Sequence, residues 1–364
     1  AASVCPSKDG TSIIENCYAM SFSEPADSDL YRSFKSGKIA FLLQKGQIEH
    51  VWGQKLGEDP LPVLGGDTLF PIACTSESID NYSNILDTNL VHNLDNHCVC
   101  TTCGYRDTTC VIKHVYDHCV CIYCGLVSHE FENCYCRNCA LQDTTCTEHI
   151  HKYEYGYCLC GEWDSVQYWF DIYTVEDLYD FARRVNVGNV KLNARLMNDI
   201  VINENVLDSA GNLNEGTFKS WTPINEFRGV FEGNNHVIKG LYIPAGGDKM
   251  GFISSLSDGK VSNLGIEDSY MRSSNGRAGG IASQLWGVAS IVNSYYIGVV
   301  SCLGEQVGGI ASSCNANAVI SNCYFVGKLI EETRNKDASV CTIKKGTSII
   351  ENCYAMSFSE PADS

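Results

Sequence analysis

The chain has 364 residues, 44% of them hydrophobic, so it is long enough and apolar enough to bury a core in about two or three domains. Its formal net charge of −17 argues against nucleic acid and anionic lipid as partners, because both are bound by clusters of Lys and Arg. We find no run of about 18 apolar residues and no signal-peptide pattern, so we expect neither a membrane span nor a leader in this stretch.

The two ends of the sequence are near-copies of each other. Residues Ala2 to Ser28 reappear 336 positions later as Ala338 to Ser364, with three substitutions. This indicates one period of a tandem array plus an overlap, which is typical of fibres and stalks because repetition adds length and valency more readily than chemistry. Residues 1–28 are therefore predicted to be the last rung of a preceding repeat copy. They need a preceding coil from the same chain or from another molecule.

Residues 29–75 follow as a predicted cap or linker module. The pattern from Asp29 to Gln44 predicts a short helix broken near Gly37. Val51 to Leu64 then predict turns and short strands. We expect this module to close the end of the preceding rung.

Residues 76–163 contain an uneven concentration of metal-binding side chains. Thirteen of the 21 cysteines and seven of the nine histidines lie here. Four modules share a histidine, an acid three residues later and a Cys-x-Cys pair; the last lacks a third cysteine and is completed by Cys146. The candidate metal ligands are His92, Cys98, Cys100, Cys103, Cys110, His114, Cys119, Cys121, Cys124, His129, Cys134, Cys136, Cys139, Cys146, His151, Cys158 and Cys160.

This composition predicts about four structural zinc sites. Tetrahedral Zn²⁺ takes four thiolate or imidazole ligands, and a Cys-x-x-Cys turn directs two sulfurs at one ion. Sites in which protein fills all four positions are structural, because no position is left for water or substrate. A disulfide framework is the main alternative and an iron–sulfur cluster a further one. The odd cysteine number and the regular histidines favour zinc.

Residues 164–190 predict an N-terminal helical cap. Thr174 is a suitable N-cap, with two acids in the first turn. Leu178, Phe181, Ala182 and Val185 then form one apolar stripe. We expect this helix to cover the open end of the first coil of a following β-domain.

Residues 191–364 repeat every 29 or 30 positions with two phased strand signals per period. This predicts a mainly β fold, a right-handed parallel β-helix with short capping helices and the small metal-stapled module. In stacked coils, like residues form columns. We predict an amide ladder of Asn263, Asn293, Asn322 and Asn352 and an aromatic file of Tyr295, Tyr324 and Tyr354. Cys323 and Cys353 are either buried free thiols or a disulfide between coils.

The segment from Phe227 to Leu241, followed by the Gly-Gly-Ile-Ala-Ser and Ile-Ser-Asn-Cys-Tyr rungs, resembles the GLUG-motif repeats of large bacterial surface proteins. The resemblance covers roughly residues 174–358. It implies a right-handed β-helix at the cell exterior, an adhesive or scaffolding role and no shared catalytic residues.

We therefore expect the structural repeat unit of an extracellular fibre, stalk or adhesin, in which β-helical rods are joined by zinc-stabilised connectors. Its partners would be copies of itself, covalent in tandem or head-to-tail, with surface glycans as a further partner. The alternative is a carbohydrate-binding or polysaccharide-degrading β-helix. Tyr295, Tyr296 and Trp286 would stack on sugars in that case, although packing in the core or in the ladder is the favoured placement. We expect no enzyme, because such sites need clustered carboxylates on one sheet face, whereas the acids Asp248, Asp258, Glu267 and Asp268 are assigned to solvated turns.

Overall fold

The computed structural model describes residues 5, 7–8, 13–22, 29–45, 47, 50–74, 82–95, 100–103, 105, 116–117, 120–121, 131–132, 135–136, 153–154, 157–158, 169–303, 306–331, 334–335 and 340–358. The chain divides into two compact units. The first comprises Ala1–Gln44, His50–Leu69 and Trp169–Ser364, and the second Lys45–Glu49 and Phe70–Tyr168.

Three long sheets, named A, B and C, build the first unit. Sheet A runs, in spatial order, through Ile224–Phe227, Ile253–Ser257, Ala282–Trp286, Ala311–Cys314, Cys341–Lys344 and Ser7–Lys8. Sheet B runs through Trp169–Ile172, Asn193–Leu196, Val230–Glu232, Lys260–Ser262, Ser290–Val292, Val319–Ser321, Ile349–Glu351 and Ile13–Glu15. Sheet C runs through Ile200–Val201, Val237–Lys239, Gly265–Ser273, Tyr295–Cys302, Tyr324–Glu331, Tyr354–Phe358 and Tyr18–Phe22, with Tyr242–Gly246 and Arg334–Asn335 beside it. A small sheet of Lys249–Met250, Arg277–Gly279 and Gln306–Gly308 accompanies them.

Successive coils contribute one strand to each long sheet, and the pairings between coils are parallel. Their inward side chains form one continuous apolar core, from Ile172 and Phe231 to Cys353 and Ala355. The predicted fold class is thereby confirmed as a mainly β chain with a parallel β-solenoid. The 29- or 30-residue period works because each coil returns like side chains to the same register.

The predicted columns are present. Nδ2 of Asn293 donates to Oδ1 of Asn263 at 3.2 Å, and Nδ2 of Asn352 donates to Oδ1 of Asn322 at 2.6 Å. All four residues have a positive φ, between 48° and 53°. Asparagine suits this position because it tolerates the left-handed backbone while the amides of Asn293 and Asn352 donate to the preceding coil.

The aromatic and thiol columns follow the same rule. The Tyr295 and Tyr324 rings stack with centroids 4.9 Å apart and an interplanar angle of 2°. Tyr354 takes the next position of this column by register. Cys323 and Cys353 are buried free thiols, each donating to the carbonyl two residues earlier at 3.1 Å. Ser294 makes the same bond one coil before, so the position requires a small donor rather than a disulfide.

Substitution of Asn322 tests the amide ladder. We expect Asn322→Ala to lower the free energy of unfolding by about 2 kcal/mol, because the ladder bond is lost and alanine is strained at φ 52°. Asn322→Gly should cost about half of that, since glycine adopts this backbone freely. Urea unfolding of both variants measures the difference. Equal losses would contradict the role assigned to the backbone.

The helix Val175–Asn186 begins at the predicted N-cap, Thr174. The Thr174 side chain accepts from the Asp177 backbone N–H and the Asp177 carboxylate accepts from the Thr174 N–H, which is a capping box. Its buried residues are Leu178, Phe181, Ala182 and Val185, as the apolar stripe predicted. Phe181 packs on Phe227 and Phe231, so the helix covers the core of the first coils.

The helices Asp29–Lys35 and Lys38–Gln44 are separated at Gly37, whose φ is +83°. With the antiparallel pair Trp52–Gly53 and Val63–Leu64 they pack on the tyrosine column of sheet C. The Trp52 ring lies 5.6 Å from Tyr324, and the Tyr324 hydroxyl donates to the Pro62 carbonyl at 2.8 Å. The predicted segment of short helices and strands is present, and it lies along the side of the solenoid.

Among the helices of the described ranges, none is long and apolar enough to cross a membrane.

The N-terminal repeat copy pairs with the C-terminal copy of the same chain. The strand Tyr18–Phe22 adds in parallel to Tyr354–Phe358, and each residue lies beside its own duplicate. The Tyr18 and Tyr354 rings stack with centroids 5.8 Å apart. The preceding coil that residues 1–28 were predicted to need is thus supplied within this chain.

Lys344 is an unusual member of this last junction. In register it continues the column of Leu256, Leu285 and Cys314, and its side chain is 0% exposed. Its ammonium donates to the Ile13 carbonyl of the added coil. Burial lowers the pKa of Lys344, against the opposing influence of the thiols of Cys314, Cys5, Cys341 and Cys17.

We expect Lys344→Met to raise the free energy of unfolding by on the order of 1 kcal/mol at pH 7. The pKa of Lys344 is lower in the folded chain than in the unfolded chain. The cost of burying the charged ammonium is therefore fully present below the folded pKa. This cost is relieved as the pH rises from the folded pKa toward the ordinary lysine pKa of 10.5. The difference between variant and native chain should therefore shrink from pH 7 to pH 10. Urea unfolding at several pH values measures it, and a pH-independent difference would contradict this explanation.

The second unit contains short antiparallel hairpins. The strand pairs are Phe70–Pro71 with Tyr82–Ser83, Tyr116–Asp117 with Val120–Cys121, Phe131–Glu132 with Tyr135–Cys136, and Tyr153–Glu154 with Tyr157–Cys158. An isolated antiparallel bridge also joins Leu94 to Cys100.

Candidate metal centre

Two local structures bring four donor side chains together in the second unit. Cys74 follows the strand Phe70–Pro71, which the hairpin to Tyr82–Ser83 holds in place. His92 lies just before the bridge from Leu94 to Cys100, and a turn at 101–103 brings Cys103 back beside Cys100. The bond from the Cys100 N–H to the Tyr105 carbonyl, 2.7 Å long, closes this turn.

The donor atoms of Cys74, His92, Cys100 and Cys103 all lie within 4.8 Å of one another. The sulfurs of Cys74 and Cys100 are 3.3 Å apart, and the Cys103 sulfur is 3.4 Å from Nδ1 of His92. Ligands of tetrahedral Zn²⁺ at the usual bond lengths lie about 3.5 to 3.8 Å from one another. The four atoms are therefore clustered at nearly the separation that one ion requires.

The electrostatics of the cluster favour a cation. Burial opposes ionisation of Cys100, but the Cys103 and Thr102 backbone amides, with the side chains of Cys74 and His92, lower the pKa of Cys100 to about 5. Burial, reinforced by the neighbouring thiols of Cys100 and Cys74, raises the pKa of Cys103 to about 12 against the Tyr105 amide. Crowded sulfurs that oppose each other's ionisation are stabilised as thiolates by a dication.

An aromatic side chain packs against the histidine. The centroid of the Tyr105 ring lies 4.5 Å from that of the His92 ring. The Phe70 ring in turn packs on Tyr105, with centroids 6.1 Å apart. Cys100 and Cys103 are each 2% exposed, whereas Cys74 and His92 are half-buried. The His92 ring is therefore held in orientation, as a metal-ligating imidazole requires.

The residues fit a structural metal ion. Three sulfurs and one imidazole nitrogen complete a tetrahedral set, so no coordination position is left for a substrate. The three cysteines are not cross-linked, since Cys74, Cys100 and Cys103 are free thiols and the 3.3 Å contact is far longer than a disulfide bond. A metal ion held by these four residues would link the hairpin that contains Phe70 to the segment that contains His92, Cys100 and Cys103.

The structure brings together three of the predicted ligands, His92, Cys100 and Cys103. Their fourth partner, Cys74, was missed, because it lies 18 residues before His92 and outside the repeated modules. The available signal was position, since Cys74 is the cysteine nearest to the block on its N-terminal side. The other predicted ligands that lie outside the described residues are Cys98, Cys110, His114, Cys119, Cys124, His129, Cys134, Cys139, Cys146, His151 and Cys160. Cys121, Cys136 and Cys158 are described as strand residues.

A cleft of about 560 Å³ on the solenoid bears on the carbohydrate alternative. Glu267 and Asp268 line it, and they lie in the strand Gly265–Ser273 rather than in a turn, which corrects the expectation. Asp268 accepts from the Val206 and Leu207 N–H groups at 3.0 and 2.8 Å. Glu267 accepts from the Tyr295 hydroxyl at 2.6 Å. Both carboxylates thus fasten neighbouring segments to sheet C.

The tyrosines proposed as sugar platforms are not available. Tyr295 is 4% and Tyr296 0% exposed, because both belong to packed columns, whereas Trp286 is 46% exposed. Stacking on a sugar requires an open ring face, so Tyr295 and Tyr296 have the packed placement that the sequence favoured over sugar binding.

Comparison with known proteins adds little. No protein-family model and no curated protein matches the sequence. Among solved structures, the chain is similar to a candidate immunoglobulin A1 protease from Bacteroides ovatus, with 14% identity and a TM-score of 0.21, over 52% of this chain and 84% of that chain. A likeness of this degree carries no conclusion about activity.

Proposed function

We propose that this chain is the structural repeat unit of an extracellular, cell-surface fibre, stalk or adhesin, related to the GLUG-motif surface proteins it resembles, and that it acts without catalysis. Copies of the unit are its partners, in covalent tandem or in head-to-tail association. The connector between solenoids is stabilised by zinc.

The observation that carries the proposal is the junction between the two repeat copies. Ile13, Ile14 and Glu15 pair with Ile349, Ile350 and Glu351, so the repeated sequence accepts its own copy as the next coil. The added coil again leaves edge strands, and Tyr18 on it is 57% exposed while Tyr354 beneath it is 1% exposed. A solenoid edge that pairs with its own sequence suits an extensible rod.

Zinc is the metal that best suits the donor set. Three thiolates and one imidazole in a closed tetrahedral arrangement are typical of structural zinc, whereas oxygen-preferring cations need carboxylates and carbonyls. Cys74, His92, Cys100 and Cys103 would hold the ion, which would supply folding free energy to a segment with a small apolar core.

A denaturing gel of the natural protein, detected with an antibody to the solenoid, tests the fibre proposal. A covalent array gives a band far above 40.0 kDa, and head-to-tail association gives a 40.0 kDa band that sediments as a larger species without denaturant. Loss of the antibody signal after protease treatment of intact cells checks the surface location. A 40.0 kDa monomer under both conditions, or a signal protected inside the cell, would contradict the proposal.

A further inference from the structure

Lys328 is an unusual member of sheet C. In register it continues the column of Tyr270 and Val299, and it is 7% exposed. Its ammonium donates to Oδ1 of Asn212 at 2.6 Å, although the two residues are 116 positions apart in the chain. Asn212 lies in the segment after the first strand of sheet C, whereas Lys328 lies in the strand Tyr324–Glu331. A contact between them therefore spans several coils.

The hairpin that carries the Asn212 amide is fixed on two sides. Leu207 pairs with Leu213 in an antiparallel bridge, and the Leu207 N–H donates to the Asp268 carboxylate of sheet C at 2.8 Å. Gly211, whose φ is +73°, lies so close to the lysine that a Cβ there would be 3.6 Å from Cε of Lys328. The hairpin thus holds the amide group beside the amine.

The Asp208 carboxylate completes the arrangement. Its Oδ2 accepts from Nδ2 of Asn212 at 3.1 Å, and its Oδ1 accepts from the Ala210 and Asn212 N–H groups at 2.9 and 2.7 Å. The Asn212 backbone N–H, with the Asn212 side chain, the Ala210 N–H and the Lys328 ammonium, lowers the pKa of Asp208 against the opposing effect of desolvation. An amine, an amide carbon and a carboxylate base are therefore within reach of one another.

We propose that Lys328 and Asn212 become joined by an intramolecular isopeptide bond, with Asp208 as the base. Nζ of Lys328 gives up a proton and attacks Cγ of Asn212, so the Cγ–Nζ bond forms and the Cγ–Nδ2 bond breaks. Asp208 carries protons from the attacking nitrogen to the leaving nitrogen. The two protons that Nζ loses depart with Nδ2 as an ammonium ion, and no oxidant or cofactor is needed.

Two physical effects favour this reaction. The folded chain holds the reacting groups together, which replaces a bimolecular encounter by an intramolecular one. Burying an ammonium is also costly, and conversion of the lysine to a neutral amide removes that charge. The product would tie the hairpin of Asn212 to the strand Tyr324–Glu331, so the coils between them could not separate under tension. This inference goes beyond the fibre proposal and does not depend on it.

The test is the intact mass of the full chain, measured after its thiols are reduced and its metal is removed. We expect a mass below that calculated from the sequence by one ammonia, and a branched peptide joining the segments of Asn212 and Lys328 after protease digestion. Lys328→Arg should restore the calculated mass. Asp208→Asn should also restore it, because an amide retains the oxygen that accepts from the backbone but is not a base.

Lys239→Arg is the matched control. Lys239 lines the same cleft, but its Nζ lies 3.2 Å from the Glu267 carboxylate, so this variant should keep the mass deficit. The calculated mass in the native chain would overturn the proposal. A deficit that persists in Lys328→Arg would overturn it as well, because Asn212 would then have cyclised on its own backbone. A deficit unchanged in Asp208→Asn would overturn the role of the base.

Discussion

Removing metal from the centre of Cys74, His92, Cys100 and Cys103 is expected to unfold the 70–105 segment while the solenoid stays folded. Structural zinc binding is worth about 10–16 kcal/mol in small zinc modules, more than the whole stability of most domains. The solenoid has its own continuous core, from Ile172 to Ala355, and does not depend on these donors. Hydrogen exchange followed by mass spectrometry, with and without a chelator, measures both parts in one sample.

Cys323→Ser is the matched control for this experiment. Cys323 is also a buried thiol, but its register neighbour Ser294 shows that a hydroxyl fulfils its role in the solenoid. Cys100→Ser should reproduce the effect of the chelator, whereas Cys323→Ser should change neither metal content nor exchange in 70–105. If protection of 70–105 is unchanged after chelation and no free thiols are detected, the metal centre is contradicted and disulfides hold this segment instead.

Phe231→Ala is expected to cause the largest loss of solenoid stability, about 3–5 kcal/mol. The Phe231 ring is 0% exposed and packs 5.7 Å from Phe181 of the cap helix and 5.1 Å from Phe252 of the next coil. Truncation leaves a cavity where helix and coils meet, and neighbouring rings cannot fill it without leaving their own contacts.

Urea unfolding followed by circular dichroism measures this loss, and Val288→Ala serves as its control. Val288 is 64% exposed, so its truncation should change the free energy of unfolding by less than about 0.5 kcal/mol. A loss below about 1 kcal/mol for Phe231→Ala would show that the cap helix does not depend on this ring.

The features predicted correctly from the sequence are those set by local chemistry. Thr174 was recognised as an N-cap because its partner Asp177 is three residues away. Asn322 and Asn352 were predicted to form part of a ladder because they occupy the same position in successive repeats. In both cases the interacting residues are related by a short or regular spacing.

The features that were missed depend on contacts with no regular spacing. Cys74 joins the metal centre through a hairpin, and Glu267 and Asp268 lie in the strand Gly265–Ser273 where its register with the next strand shifts. The segment containing Trp52 covers the column of Tyr295, a contact that the repeat does not indicate. These placements follow from segments far apart in the chain.

By itself the sequence determined the solenoid, its columns and its cap helix, because a period of 29 or 30 residues imposes one register on every coil. Tertiary structure alone decided which donors share an ion and which partner the N-terminal copy takes. The sequence alone does not distinguish which of several cysteines binds a given ion. A repeated coil can likewise pair with a copy in its own chain or in another molecule. Only the folded backbone selects one arrangement, since it sets which of these equivalent groups come within bonding distance.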